Sequence, residues 1–178
     1  MRRLMLLRHA KTETDAPNGK DHDRRLDDRG QSDAAQIGAW MARHRHVPDL
    51  VLVSTAVRAR QTWQIIHDAM KAASQPLVAH LPELYGAGPS HLLQIIHAVG
   101  GEDPHRLLVI GHNPGLHEFA LGLIGSGDAH GRKALAENLP TSAIAVIDFP
   151  IEDWNEVSHG AGRLALFVSP KLLKASGK

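Results

Sequence analysis

The stretch "LMLLRHAKT", residues 4–12, decides the fold. Four apolar residues, Leu4-Met5-Leu6-Leu7, run without interruption and stop at an arginine and a histidine, Arg8 and His9. A half-exposed strand would alternate apolar with polar side chains. An unbroken run this short fits a central strand covered on both faces. Arg8 and His9 then stand at the carboxyl end of that strand, the edge of an open α/β sheet at which ligands bind. Arg106-Leu-Leu-Val-Ile-Gly-His112 repeats the design, a buried strand that ends in a histidine.

Outward from residue 9, residues 10–28 are rich in Asp, Arg and Lys and contain Pro17-Asn18-Gly19, which predicts an exposed loop. Residues 30–45 place Ala34, Ile37, Trp40 and Met41 at helical spacing, and Asp49 to Ser54 reads as a second buried strand. Trp63, Ile66, Met70 and Ala73 mark a second amphipathic helix, expected to start at Ser54 or Thr55, both suitable caps. A short strand, Leu77 to Leu81, follows. Ser90 is expected to cap a helix carrying Leu92, Leu93, Ile96 and Val99. Asn113-Pro114-Gly115 is a turn into a helix over 116–124, with Pro114 suited to its first position. Ala143–Phe149 and Arg163–Val168 make two late strands. The order β-α-β-α-β-α-β-α-β-β predicts an α/β protein. Its sheet should be mostly parallel, carry helices on both faces, and include an antiparallel element near its end.

A chain of 178 residues with 43% hydrophobic content is long enough for one domain with a real core, expected to span 1–178. With 20 Lys plus Arg against 19 Asp plus Glu, the formal charge of +1 offers no global field for nucleic acid or an anionic membrane. Any anion site must be local. The absence of cysteine excludes disulfides, thiolate metal sites and a cysteine nucleophile. No apolar stretch approaches membrane-spanning length, and a cytoplasmic location is the expectation.

Three segments should share one sheet edge: Arg8-His9, "STAVRARQT" at 54–62, and "GHNPG" at 111–115. Each follows a buried strand and precedes a loop or helix start. Helix amino termini present unpaired N–H groups there, and arginines add planar, charged donors that match phosphate oxygens. Arg58 and Arg60 lie roughly 200° apart around a helix, so both cannot face the same site.

Taken together, LLRHA, S-T-x-x-R-x-x-Q-T, L-P-E-L, GHNP and TSAIA resemble the motifs of the histidine phosphatase superfamily, in particular its small SixA-type phosphohistidine phosphatases. The resemblance runs from about residue 3 to residue 149. It implies a phosphoglycerate mutase-like, three-layer α/β/α sandwich. It further implies that His9 is the nucleophile, that Arg8 and Arg58 bind the phosphoryl oxygens, and that His112 is the second pocket histidine. Arg24, in "DRRLDDRG", matches the arginine of the family's D-R-P-L loop. This chain has Arg25 where that loop has proline, which leaves Arg24 and Arg25 as alternatives. Glu83, in "LPELYGAG", matches the family's acidic position, with a surface carboxylate as the other reading.

Physical chemistry supports these roles. Imidazole attacks phosphorus only when unprotonated, and nearby guanidinium groups disfavour its charged form. The same cations neutralise the phosphoryl oxygens, so histidines and arginines suffice without a cofactor. The remaining histidines lack zinc-site spacing, and no metal is expected. The expected substrate is phosphohistidine on a protein partner. The alternatives are a phosphorylated metabolite, for a small-molecule phosphomonoesterase or mutase, and a non-catalytic phosphate-recognition module. Thr141 and Ser142 could reach the pocket from the start of a late strand, but strand-opening hydroxyls are commonly structural and the two are left out of the site; Lys11, Gln61 and Asn113 either support the pocket or make caps and loop contacts.

Overall fold

Side chains alternate across a strand, so Leu4 and Leu6 face one way while Met5 and Leu7 face the other. All four are fully buried. In the computed structural model, which describes residues 1–70 and 75–177, they belong to β1 (Arg2–Arg8), the middle strand of a seven-stranded sheet. The other strands are β2 (Leu50–Ser54), β3 (Leu77–Leu81), β4 (Arg106–Gly111), β5 (Ile124–Gly127), β6 (Ile144–Phe149) and β7 (Gly162–Val168). Their spatial order is β3-β2-β4-β1-β6-β7-β5. Strand β6 runs antiparallel to both its neighbours, β1 and β7, and every other pairing is parallel.

The described helices are α1 (Asp28–Arg43), α2 (Val57–Ala69), α3 (Pro89–His97), α4 (Gly115–Leu123), α5 (Ala129–Glu137) and α6 (Pro170–Ala175). They divide between the faces. Leu4, Leu6, Val109 and Ile147 pack with Ile96 of α3, Phe119 and Leu123 of α4 and Leu135 of α5. Met5, Leu7, Val53 and Ile110 pack with Ile37 and Met41 of α1, Trp63 and Ile66 of α2 and Leu173 of α6. Two cores on one sheet make the expected three-layer α/β/α sandwich. Each fully buried aliphatic side chain contributes about 1.5–3 kcal/mol.

Several expectations are corrected. Strand β1 starts at Arg2, whose buried guanidinium donates to the Pro104 carbonyl at 3.0 Å and pairs with Asp103. Residues 10–28 are not uniformly exposed: Ala10, Ala16 and Leu26 are buried, and Thr12 bridges Leu26. Neither Ser54 nor Thr55 caps α2; the helix starts at Val57, so the cap is Ala56, and the Ser54 hydroxyl meets the Ala56 amide and His112 Nε2 instead. Helix α3 begins before Ser90, with Gly88 as cap and Pro89 inside the first turn, where proline's fixed φ suits the helix. Pro114 caps α4 rather than opening it. The extension of the second helix to Ala73 lies outside the described residues. Strand β5, α5 and α6 were not expected: β5 is Ile-Gly-Ser-Gly, and α5 buries only Gly131 and Leu135, too little for a helical stripe.

Strands β2, β4 and β1 are adjacent and parallel, so their carboxyl ends lie together. The antiparallel β6 brings its amino end to the same edge, where Ser142 N donates to the Arg8 carbonyl at 3.1 Å. A close approach fixes the last wall: a Cβ on Gly115 would lie 1.8 Å from the Ala87 carbonyl oxygen. The loop before α3 therefore rests directly on the start of α4. Gly115→Ala is expected to lower stability by about 1–3 kcal/mol through that clash. At Gly111 an added Cβ would meet only Leu116 Cδ1 at 3.8 Å. Gly111→Ala should change stability by less than about 1 kcal/mol. Urea midpoints check both, and equal losses would contradict the close approach.

Candidate active site

His9 follows β1 directly and is 6% exposed. Its Nδ1 lies 2.8 Å from the carbonyl oxygen of Ala10. A carbonyl only accepts, so Nδ1 carries the ring proton. Independently, Arg58 Nε, which only donates, lies 3.3 Å from His9 Nε2. Both contacts demand the same tautomer, with the lone pair on Nε2, where it accepts from Arg58 Nε. Thr62 fastens the arrangement, since its hydroxyl accepts from Ala10 N at 2.9 Å and donates to the Arg58 carbonyl at 2.7 Å.

Arg58, on the first turn of α2, is 5% exposed, whereas Arg60 points to solvent and donates to the Thr55 carbonyl. The expected division between the two arginines is observed. The His112 ring centroid lies 5.2 Å from that of His9, and its Nε2 is 2.7 Å from Ser54 Oγ. Arg8 donates from Nη1 to the Leu139 carbonyl at 3.2 Å. Among the described residues, the buried side-chain nitrogens and oxygens without a partner are Arg8 Nε, His112 Nδ1, Asn113 Oδ1 and Ser142 Oγ. All four residues belong to the segments at this edge. Leaving such groups unpaired costs about 1–3 kcal/mol each, a cost that water or a polar ligand at this edge would relieve.

Burial, more than the neighbouring cations, sets the protonation of the rings. It pushes His9 from 6.5 down to about 3, with His112, Arg58 and Arg8 adding smaller effects and the Ala10 carbonyl opposing them. Burial, followed by the charge of Arg58, lowers His112 to about 4. Burial and then Arg58 pull the Arg8 guanidinium below its usual value.

At the mouth stands Asp21, which sequence reasoning missed. Its carboxylate accepts from Arg58 Nη2 at 3.1 Å, from Arg24 Nε at 2.9 Å and from the Tyr85 hydroxyl. These donors, Tyr85 first, hold it down to about 2. The Tyr85 ring meets His112 edge-on at 5.4 Å and His22 at 5.0 Å. No periodicity marks Asp21, which sits in a charged loop. Tyr85 directly follows the L-P-E-L segment, and Thr62 closes S-T-x-x-R-x-x-Q-T, so those two lay within reach of the motifs.

The structure therefore brings together Arg8, His9, Arg58 and His112. Arg24 joins at one remove, through Asp21, while Arg25 is exposed and pairs with Glu13. Glu83 lies on an exposed 3-10 turn, lining a groove with Leu81, Ile95 and Val99. No described hydrogen bond or ion pair joins it to the four. Lys11 pairs with Asp27, and Gln61 accepts from Leu26 N, the loop contacts anticipated as their other reading. No group of three or more His, Cys, Asp or Glu among the described residues is placed to hold a metal ion.

A family model for the histidine phosphatase superfamily (branch 1) matches residues 4–85. An uncharacterised protein of Mycobacterium tuberculosis is 36% identical over 168 residues, covering 93% of this chain and 100% of that protein. A solved structure from Agrobacterium tumefaciens, assigned as the phosphohistidine phosphatase SixA, is 32% identical with a TM-score of 0.78, covering 95% of this chain and 98% of that one. The protein histidine phosphatase SixA complexed with tungstate is 25% identical with a TM-score of 0.73, covering 96% and 99%. Fold and comparisons define a phosphatase that acts on a phosphorylated substrate and has a phosphoglycerate mutase-like fold. The chain belongs to the histidine phosphatase superfamily and, within it, is of the SixA type.

The buried rings predict a pH dependence. His9, His112 and His46, the last lowered to about 4 by burial, all have folded values below 6.5. As pH falls below 6.5 the unfolded chain takes up protons that the fold refuses, so stability falls with pH over that window. Histidine C–H NMR shifts should show His9 and His112 neutral from roughly pH 7.5 to pH 5. Titration of His9 near its ordinary value would contradict the burial.

Proposed function

We propose that residues 1–178 act as one histidine phosphatase domain that hydrolyses phosphohistidine on a protein through a covalent phosphohistidine on His9. The observation that carries this reading is the tautomer of His9: the nitrogen facing Arg58 holds a lone pair in a ring that burial keeps neutral. A nucleophile that needs no deprotonation stands against a fixed cation.

In the first step Arg58 Nε gives up its hydrogen bond to His9 Nε2 and turns to a phosphoryl oxygen, the released Nε2 lone pair forms a bond to phosphorus, and the bond from phosphorus to the substrate breaks. Arg58 and Arg8 neutralise the phosphoryl oxygens, whose charge must be balanced for transfer to proceed. In this mechanism the Ser54 hydroxyl, which accepts from Ala56 N at 3.3 Å, donates to His112 Nε2, and the His112 ring proton on Nδ1, a buried atom with no partner among the described residues, donates to a phosphoryl oxygen. In the second step a water oxygen attacks phosphorus, the P–N electron pair returns to Nε2, and inorganic phosphate leaves. Arg24 steadies the mouth through Asp21. Glu83 is a candidate general acid for substrates whose leaving oxygen needs a proton; transfer between two imidazoles makes no such demand.

A protein substrate fits the mouth, where the Asp21 and Tyr85 side chains stand at the surface. An imidazole carried on another protein reaches such a rim directly. Among the described residues no helix is long and apolar enough to cross a membrane.

Rapid-quench reaction of the native chain with a 32P-phosphohistidine protein should trap acid-labile, alkali-stable label on His9, followed by release of inorganic phosphate. His9→Ala should lose the label and more than about a thousandfold in turnover. Arg58→Ala should lose on the order of a hundredfold. Label persisting in His9→Ala would overturn the mechanism, transfer of label to a second metabolite would indicate a mutase, and binding without turnover a recognition module.

A further inference from the structure

Arg58 divides its guanidinium between two partners. Its Nε faces His9 Nε2, while Nη1 and Nη2 grip the backbone carbonyl and the carboxylate of Asp21 at 2.8 and 3.1 Å. Asp21 is thus one guanidinium away from the nucleophile, and its side chain is 54% exposed. The Tyr85 hydroxyl and Arg24 Nε fix its orientation from two further directions. Beside it the Tyr85 ring, 38% exposed, stands nearly perpendicular to the His22 and His112 rings, with the Arg58 guanidinium over it at 5.7 Å. A carboxylate held firmly next to an aromatic face is a receptor for a flat ring that bears an N–H.

We propose that Asp21, steadied by Tyr85, is the specificity-determining residue that selects a phosphorylated imidazole over a phosphate ester, by accepting a hydrogen bond from the ring N–H of the leaving group. This rests on the phosphohistidine reading of the same site. In the attacking ring, the non-reacting nitrogen keeps its proton on the Ala10 carbonyl. Asp21 does the same for the leaving ring. When that ring is in its protonated form, the P–N bond breaks with its electron pair returning to the ring nitrogen, and a neutral imidazole departs. Nε2 of His9 becomes bonded to phosphorus, and the His9 ring, still protonated on Nδ1, takes the positive charge. Atoms and charge balance with no proton transferred, so no general acid is called for. An ester differs, because its leaving oxygen needs a proton that an ionised carboxylate cannot give. The donors around Asp21 keep it ionised throughout the working range.

The test compares kcat/KM for N-phosphoimidazole and for phenyl phosphate in the native chain, Asp21→Asn, Asp21→Glu and Tyr85→Phe. Loosening Arg58 would depress both substrates alike, so the ratio isolates recognition of the leaving group. The native chain should favour phosphoimidazole, and Asp21→Asn should lower that preference by about tenfold or more, the loss of one charged hydrogen bond. Asp21→Glu should restore part of it, and Tyr85→Phe, which keeps the ring, should lower it less. Should Asp21→Asn fail to fold, a falling ratio in Tyr85→Phe supports the proposal and an unchanged ratio overturns it. Equal losses on both substrates in Asp21→Asn would overturn the selectivity while leaving the phosphohistidine reading intact. Failure of the native chain to release phosphate from both phosphoimidazole and a phosphohistidine protein would overturn both.

Discussion

The proton on His9 Nδ1 is held by the carbonyl oxygen of the next residue, 2.8 Å away, and much of the site follows from that contact. It settles the tautomer, and the tautomer aims a lone pair at the edge where Arg58 waits. Imidazole of the opposite tautomer would set an N–H against the Arg58 Nε–H and offer no nucleophile. The Ala10 amide is itself tied to Thr62, so the backbone that carries the accepting carbonyl is anchored to α2, the helix that carries Arg58. Nucleophile and cation are positioned by one connected set of hydrogen bonds.

The sheet supplies the rest of the convergence. Three adjacent parallel strands deliver Arg8-His9, Ser54 and His112 to one edge, while the antiparallel β6 returns the backbone of Ser142 against Arg8 and His9. Ser142 has φ 62, a conformation uncommon for a residue with a side chain, and its buried hydroxyl lacks a partner among the described residues. Together with the unpartnered atoms of Arg8, His112 and Asn113, it concentrates unsatisfied polarity in one place. Proteins tolerate such groups where function needs them. Two hydrophobic cores, one on each face, hold the strand ends in place.

How far the site was legible follows from the same physics. Unbroken apolar runs ending in Arg-His and Gly-His expose both their burial and their carboxyl ends, so Arg8, His9 and His112 could be placed at one edge before any coordinates. Arg58 could be separated from Arg60 by helical geometry. Asp21 was illegible because its role comes from three donors, Arg58, Arg24 and Tyr85, that are distant in the chain or lie in a loop without period. Ser54 was misread as a helix cap because a hydroxyl at that spacing suits a cap, and only the fold shows that α2 starts at Val57 and that the Ser54 hydroxyl also meets His112 Nε2. The dominance of burial over cation charge in lowering the histidines likewise depends on packing. Strand β5 and helices α5 and α6 lack a sustained apolar period, and the local signals of the two helices are single caps, Asp128 and Ser169.

The central claim is that two imidazoles and two guanidiniums converge on a single tetrahedral anion at the sheet edge. Crystallographic analysis of the protein soaked with vanadate or tungstate tests it most directly. The account predicts one oxyanion at bonding distance from His9 Nε2, with Arg8 Nε, Arg58 and His112 Nδ1 donating to its oxygens. An anion seated elsewhere, or one that meets His9 while His112 and Arg8 remain unengaged, would contradict it.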